Sequence, residues 1–421
     1  MGHLVGKDLY RNLGKKIDNL TMRAPWNEKF HAILKELYSA DEAVMAIKMP
    51  YGLATLDKIE KATGFENAKL QNILDGLCAK GLVLDIWFGG QYHYMLSPLV
   101  IGIFEFTMMR TGDNLNSKEW ARLFHNYMSG DDTFYQANFG AGQKVSPLRT
   151  LPHEETIVDS EHVEILDYEK ASAIIDMYSN FSIGLCSCRH EKMHLGLKKC
   201  DVPLETCSTF GNGAELMAKH GFARAVSKSE MLENLARSKE LGLAICADNV
   251  KKDVGFFCFC CGCCCNVLLG ISKFGYPNSV VTSSFIARCD KEICAECGDC
   301  MTACPINAIS MYPNGPPEID DAICMGCGVC AIKCATGAMK LIKRKQKVLH
   351  PETMFERIIL QCLERDTLQN FIFTDTQRLT HKFMRGIIGG FLRMPPIKKA
   401  LMSDVLRSRF LGFMQKGAQG S

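Results

Sequence analysis

The chain has 421 residues, 47% of them hydrophobic, which is enough to bury the cores of about two to four domains. It carries 22 cysteines and a net charge of only +3. Because the sequence begins without the apolar core of a signal peptide, we expect a cytoplasmic protein whose thiols are reduced or bound to metal, which excludes a secreted disulfide scaffold. No apolar run approaches the roughly 18 residues that cross a bilayer.

The first predicted domain covers residues 1–112. Between Thr55 and Leu96 the pattern predicts a helix that ends at Gly64, a second helix that ends at Gly81, and two alternating strands joined by a Gly-Gly turn. This order resembles a winged-helix domain, which implies either DNA binding or contacts with other proteins.

The second of these helices is the one that would read DNA, and its charge argues against that role. It carries Lys69 and Lys80 but also Asp75, which is a thin basic footprint for a phosphate backbone. We therefore expect DNA not to be a partner. A redox-sensing DNA-binding regulator is the third-ranked functional hypothesis.

The next segment, residues 113–160, is rich in Pro, Gly and Ser towards its end and predicts a linker. Residues 161–285 then alternate strand HVEIL, helix DYEKASAIIDMYS and strand FSIGLCSC before a loop with more cysteines. A later helix is predicted to begin at Ser227 in a capping box with Glu230 and to end at Gly242. These elements predict a small α+β domain built around cysteine loops.

Two runs of cysteines with the spacing C-x-x-C-x-x-C-x-x-x-C give the strongest signal. In bacterial two-cluster ferredoxins, three thiolates of such a run hold one [4Fe–4S] cluster and the fourth ligates the other. A pair of zinc ribbons would instead need C-x-x-C pairs separated by long spacers. The first predicted cluster has the ligands Cys294, Cys297, Cys300 and Cys334, and the second has Cys324, Cys327, Cys330 and Cys304.

The segment that contains these runs, residues 286–345, closely resembles bacterial ferredoxins, with Ala335 where that family usually has proline. We expect Gly298, Gly326 and Gly328 to allow close backbone approach in the cluster-binding loops. The resemblance implies two [4Fe–4S] clusters and single-electron transfer.

Two further cysteine blocks precede this domain. The first has four cysteines in 22 residues and is flanked by basic side chains such as Arg189; it fits either zinc or a third [4Fe–4S] cluster. The second has six cysteines in eight positions. It is too dense for one simple zinc site and fits a fourth cluster, ligands shared with the first block, or an unusual assembly. The two blocks are Cys186, Cys188, Cys200 and Cys207, and then Cys258, Cys260, Cys261, Cys263, Cys264 and Cys265.

The Cys260-Cys261-Gly262 triplet resembles the cysteine-rich CCG domains of heterodisulfide-reductase-like enzymes, which hold noncubane clusters, although the rest of that family's spacing is absent. Over residues 28–345 the chain resembles a group of iron–sulfur proteins of anaerobes that join a winged-helix-like start, the two cysteine blocks and a two-cluster ferredoxin. That resemblance implies electron transfer, with one or two further iron–sulfur clusters, or zinc, beyond the ferredoxin pair.

The last predicted domain, residues 346–421, is a basic helical tail. From Thr376 to Lys416 it has nine Lys or Arg residues and one acidic residue. Apolar residues at helical spacing (Phe383, Ile387, Ile388 and Phe391) lie among these cations, a pattern typical of docking on an anionic membrane surface or an acidic partner. The alternative is a helix that packs on the protein with a solvated basic face.

The functional prediction follows from the cysteines, since no dinucleotide fingerprint, Walker loop or radical-SAM cysteine arrangement is present. The leading hypothesis is an electron-transfer protein or subunit that passes single electrons between an oxidoreductase partner, with a flavoprotein as the expected class, and another carrier. The alternative is an iron–sulfur reductase with a catalytic cluster in residues 186–265.

Overall fold

The computed structural model describes residues 2–158, 166–312, 315–346, 348 and 350–419. The chain divides into two compact units, one of Met1–Phe106 with Glu352–Ser421 and one of Thr107–Pro351. Both helices and sheets are present, which confirms the predicted α+β class. Among the helices in the described part of the chain, none combines the length and the apolar character that a bilayer crossing requires.

The first unit contains a small antiparallel sheet in the order β1-β3-β2. The helix that follows β1 ends at Gly64, whose φ of 71° is left-handed, and the hairpin turns at Gly89 and Gly90, with φ of 60° and 82°. The elements therefore occur in the predicted order, and their winged-helix-like nature stays a prediction. The strands are β1 (Ala54–Thr55), β2 (Val83–Phe88) and β3 (Gln91–Leu96), and the helices of this part are Gly2–Asp18, Glu28–Leu37, Ala40–Lys48, Leu56–Thr63 and Asn67–Ala79.

The C-terminal segment belongs to this same unit rather than forming a separate tail, as residues 346–421 were predicted to do. Its first helix buries Ile359, Leu360 and Leu363, and the Thr376 hydroxyl donates a 2.7 Å hydrogen bond to the Lys48 carbonyl oxygen. The prediction assigned this helix to a separate tail, but its apolar face has to pack against other residues of the unit to leave water. The helices are Met354–Glu364, Leu368–Ile372, Leu379–Leu392, Pro395–Leu401 and Asp404–Gln419.

The second unit is built on a six-stranded antiparallel sheet in the order β4-β8-β9-β6-β5-β7. Phe181, Phe210 and Phe257 lie in the core on this sheet, together with Leu235 from a covering helix. The strands are β4 (Leu148–Leu151), β5 (Phe181–Leu185), β6 (Glu205–Phe210), β7 (Ala223–Val226), β8 (Ala244–Asp248) and β9 (Phe256–Cys260). The helices are Ser117–Ser129, Thr133–Phe139, Ala171–Asp176, Ser187–His194, Gly211–Lys219, Lys228–Glu240 and Asn266–Ser272.

Several local predictions for this unit differ from the structure. The predicted linker 113–160 contains two helices and strand β4, because Trp120, Phe124 and Tyr127 recur at helical spacing and are buried. The predicted strand HVEIL lies largely outside the described residues. At the capping box, Ser227 accepts the Glu230 amide as predicted, but the Glu230 carboxylate pairs with Arg224 at 2.5 Å.

The ferredoxin segment adds two short antiparallel pairs of strands to the same unit. These are β10 (Phe285–Cys289) with β13 (Met339–Lys343), and β11 (Ile309–Ser310) with β12 (Glu318–Ile319). Short helices, Asp299–Ala303 and Val329–Ile332, each follow a glycine with left-handed φ. One hydrophobic core joins this segment to the six-stranded sheet, through residues such as Cys246, Leu268 and Leu341. The predicted boundary at 285/286 therefore divides residues that pack together.

Candidate metal centres

The eight ferredoxin cysteines line two cavities. Each short helix carries the third cysteine of its run, and the fourth cysteine follows after the helix ends, so it faces the neighbouring cavity. One cavity is lined by Cys294, Cys297, Cys300 and Cys334. The other is lined by Cys304, Cys324, Cys327 and Cys330. The structure thus brings together the same sets of four that the spacing predicted, while the ligand assignment itself stays a prediction.

The two cavities differ in their exposure. Cys297 of the first is exposed, whereas Cys327 and Cys330 of the second are 8% and 6% exposed. Close packing encloses the second cavity: a Cβ on Gly326 would lie 2.0 Å from the Phe285 carbonyl oxygen, and the His153 amide donates to the Cys327 carbonyl oxygen at 2.9 Å. Gly326 is therefore needed for contact with the protein rather than only for approach to a cluster.

Backbone amides point at the sulfurs in both cavities. The Ala308 amide donates to Cys304 Sγ at 3.2 Å, and the Met339 amide donates to Cys334 Sγ at 3.4 Å. Burial acts to raise the pKa of the Cys334 thiol, but hydrogen bonds from Met339, Thr336 and Ala338 outweigh it, and the pKa is lowered. Such donors stabilise thiolate ligands and the negative charge of a bound cluster.

Residues 293–338 match the family model described as a 4Fe-4S dicluster domain. This segment is an iron–sulfur ferredoxin-like domain, and it supports an electron-transfer role for the chain. No curated protein and no solved structure matches the chain. The match covers the dicluster domain alone, so the roles of the remaining cysteines must be inferred from their geometry.

The other cysteine blocks do not form one site each. Their thiols separate into two groups, and each group draws on both blocks. We call Cys186, Cys188, Cys246, Cys260 and Cys265 the inner thiol group. We call Cys200, Cys261, Cys263 and Cys264 the outer thiol group.

The inner thiol group is a chain of contacting thiols beside the dicluster domain. Cys265 Sγ and Cys260 Sγ are 3.4 Å apart, and hydrogen bonds link Cys186 to Cys188, Cys188 to Cys265, and Cys246 to Cys260. The hydrogen bond with Cys188 and burial raise the pKa of Cys186. A metal that binds here must therefore displace the protons of buried neutral thiols.

Local structure explains how the inner thiol group assembles. Cys186 and Cys188 lie at the start of helix Ser187–His194, although the sequence predicted both at the end of the strand FSIGLCSC, and Cys265 immediately precedes helix Asn266–Ser272. Cys246 lies outside every cysteine group in the sequence. The pairing of β8 with β9 brings it beside this group, and that register has no signature in the sequence.

A buried polar network holds these two helices together. The Glu191 carboxylate accepts from Lys192 Nζ at 2.7 Å and from Asn266 Nδ2 at 2.6 Å, and Lys192 donates to Asn266 Oδ1 at 2.9 Å. His125 Nδ1 lies 3.1 Å from the same carboxylate. Because Asn266 follows Cys265 directly, the network fixes the positions of Cys188 and Cys265 relative to each other.

The outer thiol group is more compact and partly exposed. All four sulfurs lie within 4.8 Å of one another. Cys200 comes from the loop after helix Ser187–His194, and the other three come from the turn after β9. A hydrogen bond from Cys264 and the positive charge of Arg189 lower the pKa of Cys261 to about 4. The group therefore already favours one thiolate among its sulfurs.

Arg189 lies between the two thiol groups. Its side chain is fully buried and donates to the Thr206 hydroxyl at 2.5 Å and to the Phe259 carbonyl oxygen. Burial acts to lower the pKa of Arg189, but electrostatic interactions with Cys186, Cys261 and Cys260 and a hydrogen bond with Cys261 outweigh it and raise the pKa. Arg189 thus supplies a fixed positive charge to both groups.

Two predicted ligands lie outside the outer thiol group. Cys258 is opposite Cys246 in the pairing of β8 and β9 and packs beside the inner thiol group, whereas Cys207 lies on β6. The described contacts place neither of them in the outer thiol group. The predicted four-cysteine block from Cys186 to Cys207 is accordingly divided: two members join the inner group, Cys200 joins the outer group, and Cys207 joins neither.

Proposed function

We propose that this protein is a multi-cluster iron–sulfur electron-transfer protein, which passes single electrons between a redox partner protein and another carrier. The observation that carries the proposal is the contact between the dicluster domain and the cysteine-rich turn after β9. A Cβ on Gly262 would lie 2.7 Å from the Pro305 carbonyl oxygen. Since Pro305 follows Cys304, that contact brings the backbone beside the buried cavity directly against the turn that holds three sulfurs of the outer thiol group and lies between Cys260 and Cys265.

Differences in burial give the order of the centres along the electron-transfer path. The exposed Cys297 marks one end, where a partner protein can approach a cluster. The buried cavity that Cys327 lines comes next, and the inner thiol group packs in the same core through Cys246 and Cys260. Because electron transfer weakens steeply with distance, a line of closely packed centres is the arrangement that such a role needs.

We include the inner thiol group in this proposal as the site of a further iron–sulfur cluster. Cys260 Sγ and Cys265 Sγ stand 3.4 Å apart, closer than the ligands of two different irons in a cubane, so a cluster in which these two thiolates share one iron fits better than a fully ligated cubane. A reductase with a catalytic cluster in residues 186–265 would instead need an iron with an open coordination position. A flavoprotein remains the expected class of partner, since flavins exchange single electrons with such clusters.

The DNA-binding regulator gains no support from the helix Asn67–Ala79. Lys69 pairs with Asp41 at 2.9 Å, and Lys80 pairs with Glu42 at 2.8 Å. Both cations are therefore partly neutralised by carboxylates of the same unit, which weakens a phosphate-binding face further.

The helix Leu379–Leu392 of the C-terminal segment supports docking on an anionic membrane surface as a second part of the proposal. Its side chains Leu379, Phe383, Ile387 and Phe391 are 80%, 68%, 52% and 49% exposed and lie one turn apart. Ile388, which was predicted in this stripe, is partly buried. Exposed apolar residues beside Lys and Arg are typical of helices that lie in a membrane interface.

Docking can be tested with the full chain and phospholipid vesicles. We expect binding to anionic vesicles but not to neutral ones, and the double variant Phe383→Asp, Ile387→Asp should abolish it. Phe88→Asp is the matched control, because Phe88 is similarly exposed, at 70%, on a hairpin of the same unit. Equal binding by the wild type and the double variant would rule out this surface.

The electron-transfer proposal can be tested by redox titration of the anaerobically purified chain. We expect more than about eight irons and eight sulfides per chain, with one-electron reduction steps between about −700 and +450 mV. Reduced protein should then transfer electrons to an added one-electron acceptor protein and should convert no small substrate without one. Clusters that bind in full but accept no electron in that range would overturn the proposal.

A further inference from the structure

The spacing of sulfurs in the outer thiol group matches the dimensions of a single metal ion. Cys200 Sγ lies 3.7 Å from Cys261 Sγ and 4.0 Å from Cys264 Sγ. Cys263 Sγ lies 3.8 Å from Cys261 Sγ and 3.5 Å from Cys264 Sγ. Four thiolates at the zinc–sulfur distance of about 2.3 Å stand about 3.8 Å apart at the corners of a tetrahedron.

A cubane cluster requires a wider set of ligands. Each thiolate there binds a different iron, so the cluster's own irons separate the sulfurs by roughly 6 Å. The outer thiol group confines all of its sulfurs within 4.8 Å. No room remains between them for a four-iron core, although the density of cysteines in the sequence fitted a further cluster.

We propose that the outer thiol group binds one tetrahedral metal ion of the zinc class, held by Cys200, Cys261, Cys263 and Cys264 without inorganic sulfide. The four protein thiolates close the coordination sphere, which is the pattern of structural rather than catalytic sites. The ion cross-links two segments that are 61 residues apart in sequence. This site does not depend on the electron-transfer proposal, because it contributes no cluster.

The chain around the site suits this role. The turn Cys261-Gly262-Cys263-Cys264 supplies three ligands within four positions, and Cys200 on the opposite loop supplies the fourth. Four thiolates around a divalent ion leave a net charge of about −2. Arg189 offsets part of that charge, since it hydrogen-bonds Cys261 and is itself anchored on Phe259.

The site also has a consequence for the inner thiol group. Cys260 and Cys265 flank the turn that the ion would hold. A fixed turn keeps these two sulfurs directed towards Cys188 and Cys246 while the outer ligands face the opposite loop. We therefore assign the ion a structural role in shaping the neighbouring site.

The test is a metal and sulfide analysis of the full chain, purified without oxygen. Cys200→Ser is the main variant, because Cys200 lies outside the turn that carries Cys260 and Cys265. It should lose about one zinc or one iron per chain and no sulfide. Whether zinc or iron is lost identifies the ion. Cys207→Ser is the matched control from the same cysteine block and should keep the wild-type contents.

Three results would overturn the proposal. The first is a loss of about four irons with about four sulfides in Cys200→Ser, which would indicate a cubane. The second is an unchanged metal content in that variant, and the third is an equal loss of one metal ion in Cys207→Ser. If Cys200→Ser does not fold, X-ray absorption spectroscopy of the wild type replaces this variant. Four sulfurs at about 2.3 Å around a metal ion that has no metal neighbour support the site. Metal–metal scattering from every bound metal contradicts the site.

Discussion

The dicluster domain and the cysteine-rich sheet domain bring their cysteine side chains together in different ways. In the first, eight cysteines within residues 294–334 lie on two loop-and-helix segments, so each run wraps most of one cavity by itself. In the second, the thiols come from a helix start, a loop, two strands and a turn. Local spacing therefore identifies the first kind of site, whereas strand register and loop packing decide the second.

The largest effect is expected from removal of one ligand at the buried dicluster cavity. Cys327→Ser should remove about four irons and four sulfides, because a cubane with three protein ligands in a buried pocket lacks a replacement donor. Iron and sulfide analysis of the purified chain checks this. Cys362→Ser is the control, since Cys362 is also buried but lies in the other unit. Full iron content in Cys327→Ser would contradict the ligand set.

A Cys→Ser substitution in the cysteine-rich sheet domain tests whether the inner thiol group also holds a cluster. Cys188→Ser should lower the iron and sulfide content of the inner thiol group, because it breaks the link between Cys186 and Cys265, and should leave the dicluster pair intact. Electron paramagnetic resonance of the reduced chain distinguishes the two losses, because the interacting pair of the dicluster domain keeps its signal. If the iron content is unchanged, the inner thiol group holds no cluster and the path ends at the buried cavity.

A third prediction concerns the contact between the two regions. Gly262→Ala places a Cβ 2.7 Å from the Pro305 carbonyl oxygen and 3.0 Å from its Cα, so the backbone must move. We expect a loss of about 1–3 kcal/mol in the free energy of unfolding, as for other overpacked positions. Anaerobic denaturant titration measures it.

The matched control for this variant is Gly213→Ala. Gly213 lies in a helix, and its nearest neighbour for a Cβ is the Gly255 carbonyl oxygen at 3.5 Å, an ordinary contact. Alanine there should leave stability unchanged or raise it by up to about 1 kcal/mol. Equal destabilisation by both variants would mean that the approach of Gly262 to Pro305 has no special role.

The same contrast explains how much could be predicted from the sequence. Glycine positions gave the helix end at Gly64 and the hairpin at Gly89-Gly90, and cysteine spacing gave the two sets of four that line the dicluster cavities. Cys246 was missed because only the pairing of β8 with β9 brings it to Cys260. Cys207 was grouped with Cys200 by proximity in sequence, yet one lies on a strand and the other on a loop.

The smallest expected effect is electrostatic, and it separates the two regions most cleanly. Arg189 supplies a buried positive charge to the thiol groups of the sheet domain. Reduction adds negative charge to a cluster, so loss of this cation should make the reduced state less favourable. In Arg189→Gln we expect the potential of the inner cluster to fall by on the order of 50–100 mV, while the dicluster potentials stay within about 20 mV of the wild type.

Arg189→Lys tests whether charge or hydrogen bonding is responsible. Lysine keeps the positive charge but cannot reproduce the fork that contacts Thr206 and Phe259. If charge dominates, this variant should keep most of the wild-type potential in a redox titration, and the order should be wild type, Lys, then Gln. A potential that falls equally in both variants would assign the effect to the lost hydrogen bonds, and the same fall at the dicluster centres would show that Arg189 acts on the whole unit.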